Sequence, residues 1–322
     1  MSDSYDMSIY KFSGAGNDFV VLDGRGADVS AFRQAGRITE LCREYRTDGL
    51  MILDKADGYD FAMEFYNPDG SGGMMCGNGG RCIVAFADYL GLKPASLDGI
   101  WHFLAPDGPH EAAILEFPEG TASQGLVHPR TSVGGGARWM SVRAADETDN
   151  GRGRSERSER SSLGGSSLRK WTVRLKMIDV EEVKPMMGGY FLNTGTRHFV
   201  KFVPSVEGID MEKDGPEIRW DEAFQPEGTN ANFVQVAPDA LHVRTFEKGV
   251  EAETLACGTG LTASAIVACY SGVPGAEKGS RLQCRRGDWL QVDFQRDGTR
   301  YTDVYLTGPA ELVKVAQVID NQ

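Results

Sequence analysis

The run Cys257-Gly258-Thr259-Gly260-Leu261-Thr262-Ala263-Ser264-Ala265-Ile266-Val267-Ala268 leaves a helix no polar side to offer water. Leu261, Ala263, Ala265, Ile266, Val267 and Ala268 make it apolar nearly all round, and Gly272 follows as a stop. Such a helix must be buried, here wrapped by a sheet. A second stretch begins alike 181 residues earlier, with Cys76-Gly77-Asn78-Gly79-Gly80-Arg81. It continues with Ile83, Phe86, Ala87 and Leu90 on one face and Gly91 as a left-handed stop. Both starts fit Cys-Gly-[Asn/Thr]-Gly. A thiol there sits in the positive end of the helix field, where its thiolate is favoured.

Between these helices the sequence is mostly strand. Phe19 to Leu22, Leu50 to Leu53, and the alternating Phe61, Met63 and Phe65 lie in the first half. Val173-Leu175-Met177, His198 to Val203, Asn232 to Val236, Leu241 to Arg244 and Leu290 to Phe294 lie in the second. Ser30 is placed to cap a helix whose buried stripe is Ile38, Leu41, Cys42 and Tyr45. Asn67-Pro68-Asp69-Gly70 reads as a turn. Strands outnumber helices and their links are often too short for crossovers, so mixed or antiparallel sheets are expected. The halves read as a diverged repeat. Gly16-Asn17-Asp18-Phe19-Val20 matches Gly228 to Val234, although 59 residues lead from Asn17 to Cys76 and only 27 from Asn230 to Cys257. Residues 144–170, rich in Ser, Arg, Glu and Gly, cannot bury enough surface to offset chain entropy, and a flexible insertion is expected there. Its interleaved Glu and Ser favour a solvated spacer over a site for RNA or an acidic partner.

The 322 residues suffice for two domains, and 41% apolar with 25% charged is ordinary for a globular enzyme. A net charge of −12 argues against nucleic acid as the main partner. No apolar run is long enough to span a bilayer, and MSDSYDMSIYKF lacks the features of a secretion signal. Six scattered cysteines without a CxxC pair make neither a disulfide framework nor a zinc site. A cytoplasmic protein with free thiols, no metal and no membrane partner is expected. Cys42, Cys82, Cys269 and Cys284 read as core residues.

Two thiols at helix starts facing one cavity could invert a carbon centre. The proton next to a carboxylate is weakly acidic, and its removal needs a placed base and a stabilised enolate-like charge. Backbone N–H groups at a helix start supply the second, and glycines let a carboxylate approach them. One sulfur takes the proton while the other delivers one to the opposite face.

Several segments together resemble the diaminopimelate epimerase family. They are Gly14 to Phe19, Asn67 to Ser71, Met75 to Cys82, Thr194-Gly195 with His198, Asn230, Glu247-Lys248-Gly249, Glu253 to Gly260 and Thr307 to Ala310. The resemblance covers nearly all of the chain outside residues 140–170. It implies an α+β fold of two similar domains, each a mixed or antiparallel sheet curled around a central helix, with the active site in the cleft between them. The expected halves are 1–130, to which 309–322 return, and 131–308, which contain the insertion.

The resemblance further implies Cys76 and Cys257 as the acid–base pair, with Gly77, Asn78, Gly258 and Thr259 cradling the substrate carboxylate. Asn17, Asn67 and Asn230 would be polar contacts to substrate. His198 and Glu247 would orient or deprotonate the thiols and hold the ammonium. It implies no cofactor, an amino-acid substrate, and a homodimer. The residues taken alone leave other readings open: the three asparagines as turn formers, His198 and Glu247 as plain strand residues. Where the family has Gln, Asn and Arg, this chain has Gly49, Thr196 and Lys248. Lys cannot grip a carboxylate bidentately as Arg does. The expected activity is conversion of LL- to meso-diaminopimelate for lysine and peptidoglycan precursors. The alternatives are epimerisation of another amino acid on the same fold, and a single-cysteine hydrolase or redox protein. Which cysteine serves which isomer is not legible.

Overall fold

The computed structural model describes residues 7–118 and 169–318. The first half runs β1 (Met7–Ser13), β2 (Asp18–Asp23), α1 (Ala35–Tyr45), β3 (Gly49–Asp54), β4 (Phe61–Tyr66), α2 (Gly77–Tyr89), β5 (Ile100–Ala105), β6 (Gly108–Glu116) and β7 (Arg169–Lys176). The second runs β8 (Lys184–Met186), β9 (Gly189–Asn193), β10 (Arg197–Phe202), α3 (Met211–Arg219), β11 (Asn230–Val236), β12 (Leu241–Glu247), β13 (Ala252–Thr254), α4 (Gly258–Tyr270), β14 (Gly279–Gln283), β15 (Trp289–Asp297) and β16 (Arg300–Val318).

The strands form one hydrogen-bonded path, β1 to β7 in order, then β16, β15, β14, β12, β11, β10, β9 and β8. The path is a repeat reflected about the β7–β16 pair. In the first half β2 pairs parallel to β3, β3 antiparallel to β4, and β4 parallel to β5. In the second, β10, β11, β12 and β14 repeat the same alternation. Helices fall at equivalent places: α1 and α3 after β2 and β10, α2 and α4 after β4 and β12–β13. The mixed pairing agrees with the expectation. The sequence match of Asn17-Asp18-Phe19 to the start of β11 does not, because the topological partner of β2 is β10, with His198-Phe199-Val200. In that alignment 59 residues separate Asn17 from Cys76 and 61 separate Thr196 from Cys257, so the apparent mismatch in spacing vanishes.

β16 joins the halves. Its first part pairs with β15, Gly308–Leu312 pair with β7, and residues 311–318 pair antiparallel with β1, closing the first half on itself. Inside lies α2, buried from Gly77 through Ala87, so the single apolar face read from the sequence is an underestimate. α4 is buried except at Thr259 and Tyr270, as its all-round apolar sequence requires. Gly91 and Gly272 adopt positive φ (79° and 74°) just beyond the two helices.

Local readings need three corrections. Ser30 opens a separate short 3-10 turn, and α1 is preceded by Gln34, which makes no side-chain cap. A strand not read from the sequence, β1, precedes the Gly14-Ala15-Gly16 turn, which joins it to β2. The expected insertion at 144–170 lies outside the described residues as far as Leu168, but Arg169 and Lys170 already belong to β7.

Candidate active site

The two Cys-Gly starts meet at the seam between the halves. A methyl group placed on Gly258 would stand 3.4 Å from the Cα of Gly77, and Leu306 Cδ2 from β16 would lie 3.0 Å from a methyl group on either glycine. The facing glycines would be in ordinary contact even with a methyl group added, and the tight neighbour of both is Leu306. Cys76 and Cys257 are the N-cap residues of α2 and α4. The N–H of Gly79 donates to Cys76 Sγ at 3.3 Å, and the N–H of Gly260, the equivalent third residue of α4, faces Cys257 Sγ. Each sulfur thus faces backbone amides of its own helix start, and the Cys76 sulfur is close enough to act electrostatically on Cys257.

Burial is the largest influence on both thiols and pushes each above the ordinary cysteine range, while the facing amides pull the other way. The wall around Cys257 is polar. Thr259 Oγ1 lies 3.4 Å from its sulfur, and the Glu247 carboxyl reaches the same thiol. Burial raises the Glu247 carboxyl above the usual range, and the charge of Asp48 adds to that rise. The Glu247 carboxyl and the Cys257 thiol are thus two buried groups that influence each other's protonation.

His198 is fully buried on β10 and touches the thiols only through Thr259. Its Nε2 lies 3.0 Å from Thr259 Oγ1 and 2.9 Å from Thr196 Oγ1. Its Nδ1 lies 3.0 Å from Asn232 Nδ2, which also donates to the Phe199 carbonyl. That carbonyl can only accept, so the Asn232 nitrogen is the donor and Nδ1 the acceptor. The proton of the neutral ring then sits on Nε2, between the Thr196 and Thr259 hydroxyls. Burial lowers His198 to about 3, which keeps it neutral near pH 7. The sign is that of a group charged only after unfolding. Its contribution to stability is complete above pH 6.5 and declines as pH falls toward 3. We expect a loss on the order of 1 kcal/mol per pH unit in that window. Denaturant titrations at pH 7 and pH 5 should show the decline in the parent protein and a smaller one in His198→Gln; equal declines would contradict it.

The other expected residues divide. Asn17 and Asn78 join directly, the Asn78 Nδ2 donating to Asn17 Oδ1 and also to the Ala256 carbonyl at 3.3 Å. Asn230 Nδ2 donates to the Arg197 carbonyl at 2.9 Å and its Oδ1 accepts from the N–H of Lys248 at 2.7 Å. Thr196 bridges His198, Thr259 and Asn230. Asn67 spends its amide on Ser71 Oγ within its own turn. The Lys248 side chain is exposed, and its charge acts on Glu227 and Glu251.

Sequence reasoning missed Asn232, Thr194, Asp48 and Arg81. Strand alternation puts Asn232 on the same face as Asn230, a signal that was available. Thr194 Oγ1 donates to the Thr259 carbonyl at 2.9 Å, and Asp48 accepts from the N–H of Asp18 at 2.8 Å. Gly49 has a packing reason: a Cβ there would meet the Tyr66 carbonyl at 2.8 Å and the Phe65 ring at 3.1 Å. Gly49→Gln should cost about 1–3 kcal/mol, read as a lower thermal midpoint; an unchanged midpoint would show that the strand yields freely. A cavity of about 320 Å³ adjoins Gly77, Thr196 and Thr259, with Met75 and Lys176 farther along its wall.

Comparison with known proteins points to one family. The family model described as Diaminopimelate epimerase matches residues 9–97 and 190–313. The diaminopimelate epimerase of Flavobacterium psychrophilum is 33% identical over 95% of this chain and 98% of its own. Among solved structures, a PhzF-family phenazine biosynthesis protein from Bacillus anthracis superposes with a TM-score of 0.62 at 11% identity, covering 97% of this chain and 99% of its own. A probable proline racemase from Agrobacterium radiobacter gives 0.58 at 14%, covering 98% and 93%. At such identities these two show the shared fold alone.

Proposed function

The chain belongs to the diaminopimelate epimerase family, and from that premise we propose that it is an isomerase interconverting LL- and meso-diaminopimelate by proton transfer between Cys76 and Cys257. This would serve the supply of lysine and peptidoglycan precursors. The observation that carries the proposal is the meeting of two Cys-capped helix starts at Gly77 and Gly258. The substrate carboxylate lies against the amides of Gly77, Asn78, Gly258 and Thr259, where two helix fields stabilise the developing enolate-like charge. One thiolate removes the α-proton and the opposite thiol protonates the other face. Glu247 exchanges a proton with Cys257, while His198 and Thr196 hold the Thr259 hydroxyl beside that sulfur. Asn17 and Asn230 face the substrate's polar groups, and Asn67 and Lys248 would reach it by turning from their present partners. No cofactor takes part in this scheme.

The same reading takes the two halves as domains, 1–130 with 309–322 and 131–308, although β7 pairs with β6 and lies with the first half. The pairing of residues 311–318 with β1 supports the return of the last segment. The homodimer rests on family resemblance. Among the described residues no helix is long and apolar enough to cross a membrane.

A second reading keeps the chemistry and changes the substrate. Gly49, Thr196 and Lys248 favour it, since Lys248 offers one point charge where a planar fork would grip a distal carboxylate. Steady-state rates on diaminopimelate and on amino acids lacking a second carboxylate discriminate. We expect kcat/KM highest on diaminopimelate by about 100-fold or more; a higher value on any other amino acid would replace the substrate. The single-cysteine alternative leaves one of the two equivalent helix starts without a role.

A further inference from the structure

The second glycine of the α4 start presses on a buried amide. A methyl group on Gly260 would collide with Asn232 Oδ1 and stand 3.2 Å from Thr245 Oγ1. The matching glycine of α2, Gly79, has Met51 Sδ and Met63 Cε as its nearest neighbours, each at 3.3 Å. The polar neighbours therefore belong to the Cys257 helix start. Asn232 on β11 lies directly opposite Thr245 on β12 and is fully buried. Its Nδ2 gives one hydrogen to the Phe199 carbonyl at 3.0 Å and the other to His198 Nδ1 at 3.0 Å. Its Oδ1 accepts from Thr245 Oγ1 at 3.0 Å. Turned over, the amide would set its oxygen against the Phe199 carbonyl, acceptor against acceptor. Only one orientation satisfies the group.

The consequence runs through the ring to the sulfur. With Nδ1 held as an acceptor, neutral His198 brings its single ring N–H, on Nε2, to two threonine hydroxyls. Thr196 Oγ1 lies 2.9 Å away and Thr259 Oγ1 3.0 Å away. Thr196 Oγ1 in turn donates to Thr259 Oγ1 at 3.1 Å. Thr259 Oγ1 thus has donors on its inner side, and its own hydrogen is left for Cys257 Sγ, 3.4 Å away. The Thr259 backbone is tied in place, because its carbonyl accepts from Thr194 Oγ1 at 2.9 Å. Each link from Thr245 to the sulfur is a direct contact.

We propose that Asn232 is a positioning residue that fixes the His198 tautomer and thereby makes the Thr259 hydroxyl a hydrogen-bond donor to the Cys257 sulfur. The inference deepens the two-thiol reading and rests on it. A hydroxyl donor stabilises the sulfur when it is negative. That is the state in which Cys257 takes the α-proton, and the state it is left in after protonating substrate from the other side.

The test is nitrogen-15 NMR of labelled protein near pH 7, with the His198 signals assigned by their loss in His198→Gln. The parent ring should carry its hydrogen on Nε2 and none on Nδ1. Asn232→Asp is nearly isosteric, but the new oxygen brings at most one hydrogen, which the Phe199 carbonyl takes. The ring should then carry its hydrogen on Nδ1. Thr259→Val keeps the backbone amide and removes the hydroxyl. Asn232→Asp and Thr259→Val should each lower kcat by about 10-fold, with KM changed less, and the double variant should be about as slow as the worse single one. A parent ring with its hydrogen on Nδ1 would overturn the proposal. So would a folded Asn232→Asp that keeps the Nε2 tautomer, or losses that multiply in the double variant. If Asn232→Asp does not fold, the parent spectrum and Asn232→Ala decide: the alanine variant should show both tautomers, and Nε2–H alone would contradict the inference. Solvent deuterium uptake by substrate reads the two-thiol chemistry separately. Uptake without the expected tautomer defeats this inference alone, and the expected tautomer without uptake defeats the two-thiol reading alone.

Discussion

Replacing Cys257 by alanine is expected to lower kcat for epimerisation by about 10³-fold or more, with KM changed far less. The expectation follows from the shape of the seam. In the proposed scheme the substrate carboxylate is held by amides of both helix starts, and those amides survive the substitution. What is lost is the thiol that would pass a proton to the face opposite Cys76. Cys76→Ala should be as damaging, because each direction needs one sulfur as base and the other as acid. Retention of full activity in either variant would remove that residue from the mechanism.

Glu247→Gln should lower kcat/KM by about 10²-fold and change the pH profile as well. Burial raises the Glu247 carboxyl above the ordinary carboxylate range. As pH rises through that raised value the carboxylate forms and can accept the Cys257 proton, so activity should climb on the acid side. Glutamine cannot accept the proton, so the acid limb should flatten in the variant. A profile of unchanged shape with only a lower plateau would assign Glu247 to binding alone.

The local features of the site were legible because they depend on short spacings. A Cys before Gly-x-Gly and an apolar run marks a capped, buried helix wherever it occurs, and both helices form as read. What was not legible depends on partners distant in the chain. The Phe-Val pattern recurs in β2, β10 and β11, and nothing in its composition says which strand lies parallel to which. The repeat was therefore matched to β11 when the topology matches it to β10. The last strand was not read at all; in its outer part Val313 and Val315 are exposed and show no core face. Arg81 was quoted within its motif yet assigned no role. A charged residue in an apolar helix ordinarily reaches for solvent, whereas this one reaches carbonyls 67 and 228 residues away.

The most direct test of paired sulfurs working on opposite faces is the early fate of solvent deuterium. LL-diaminopimelate is incubated with reduced protein in heavy water and stopped at low conversion. The account predicts one deuterium at the inverted carbon of the meso product and almost none in the recovered LL substrate, since the base that takes the hydrogen is not the acid that returns one. Product that keeps the substrate's own hydrogen, or substrate that exchanges as fast as product forms, would mean that a single group serves both faces.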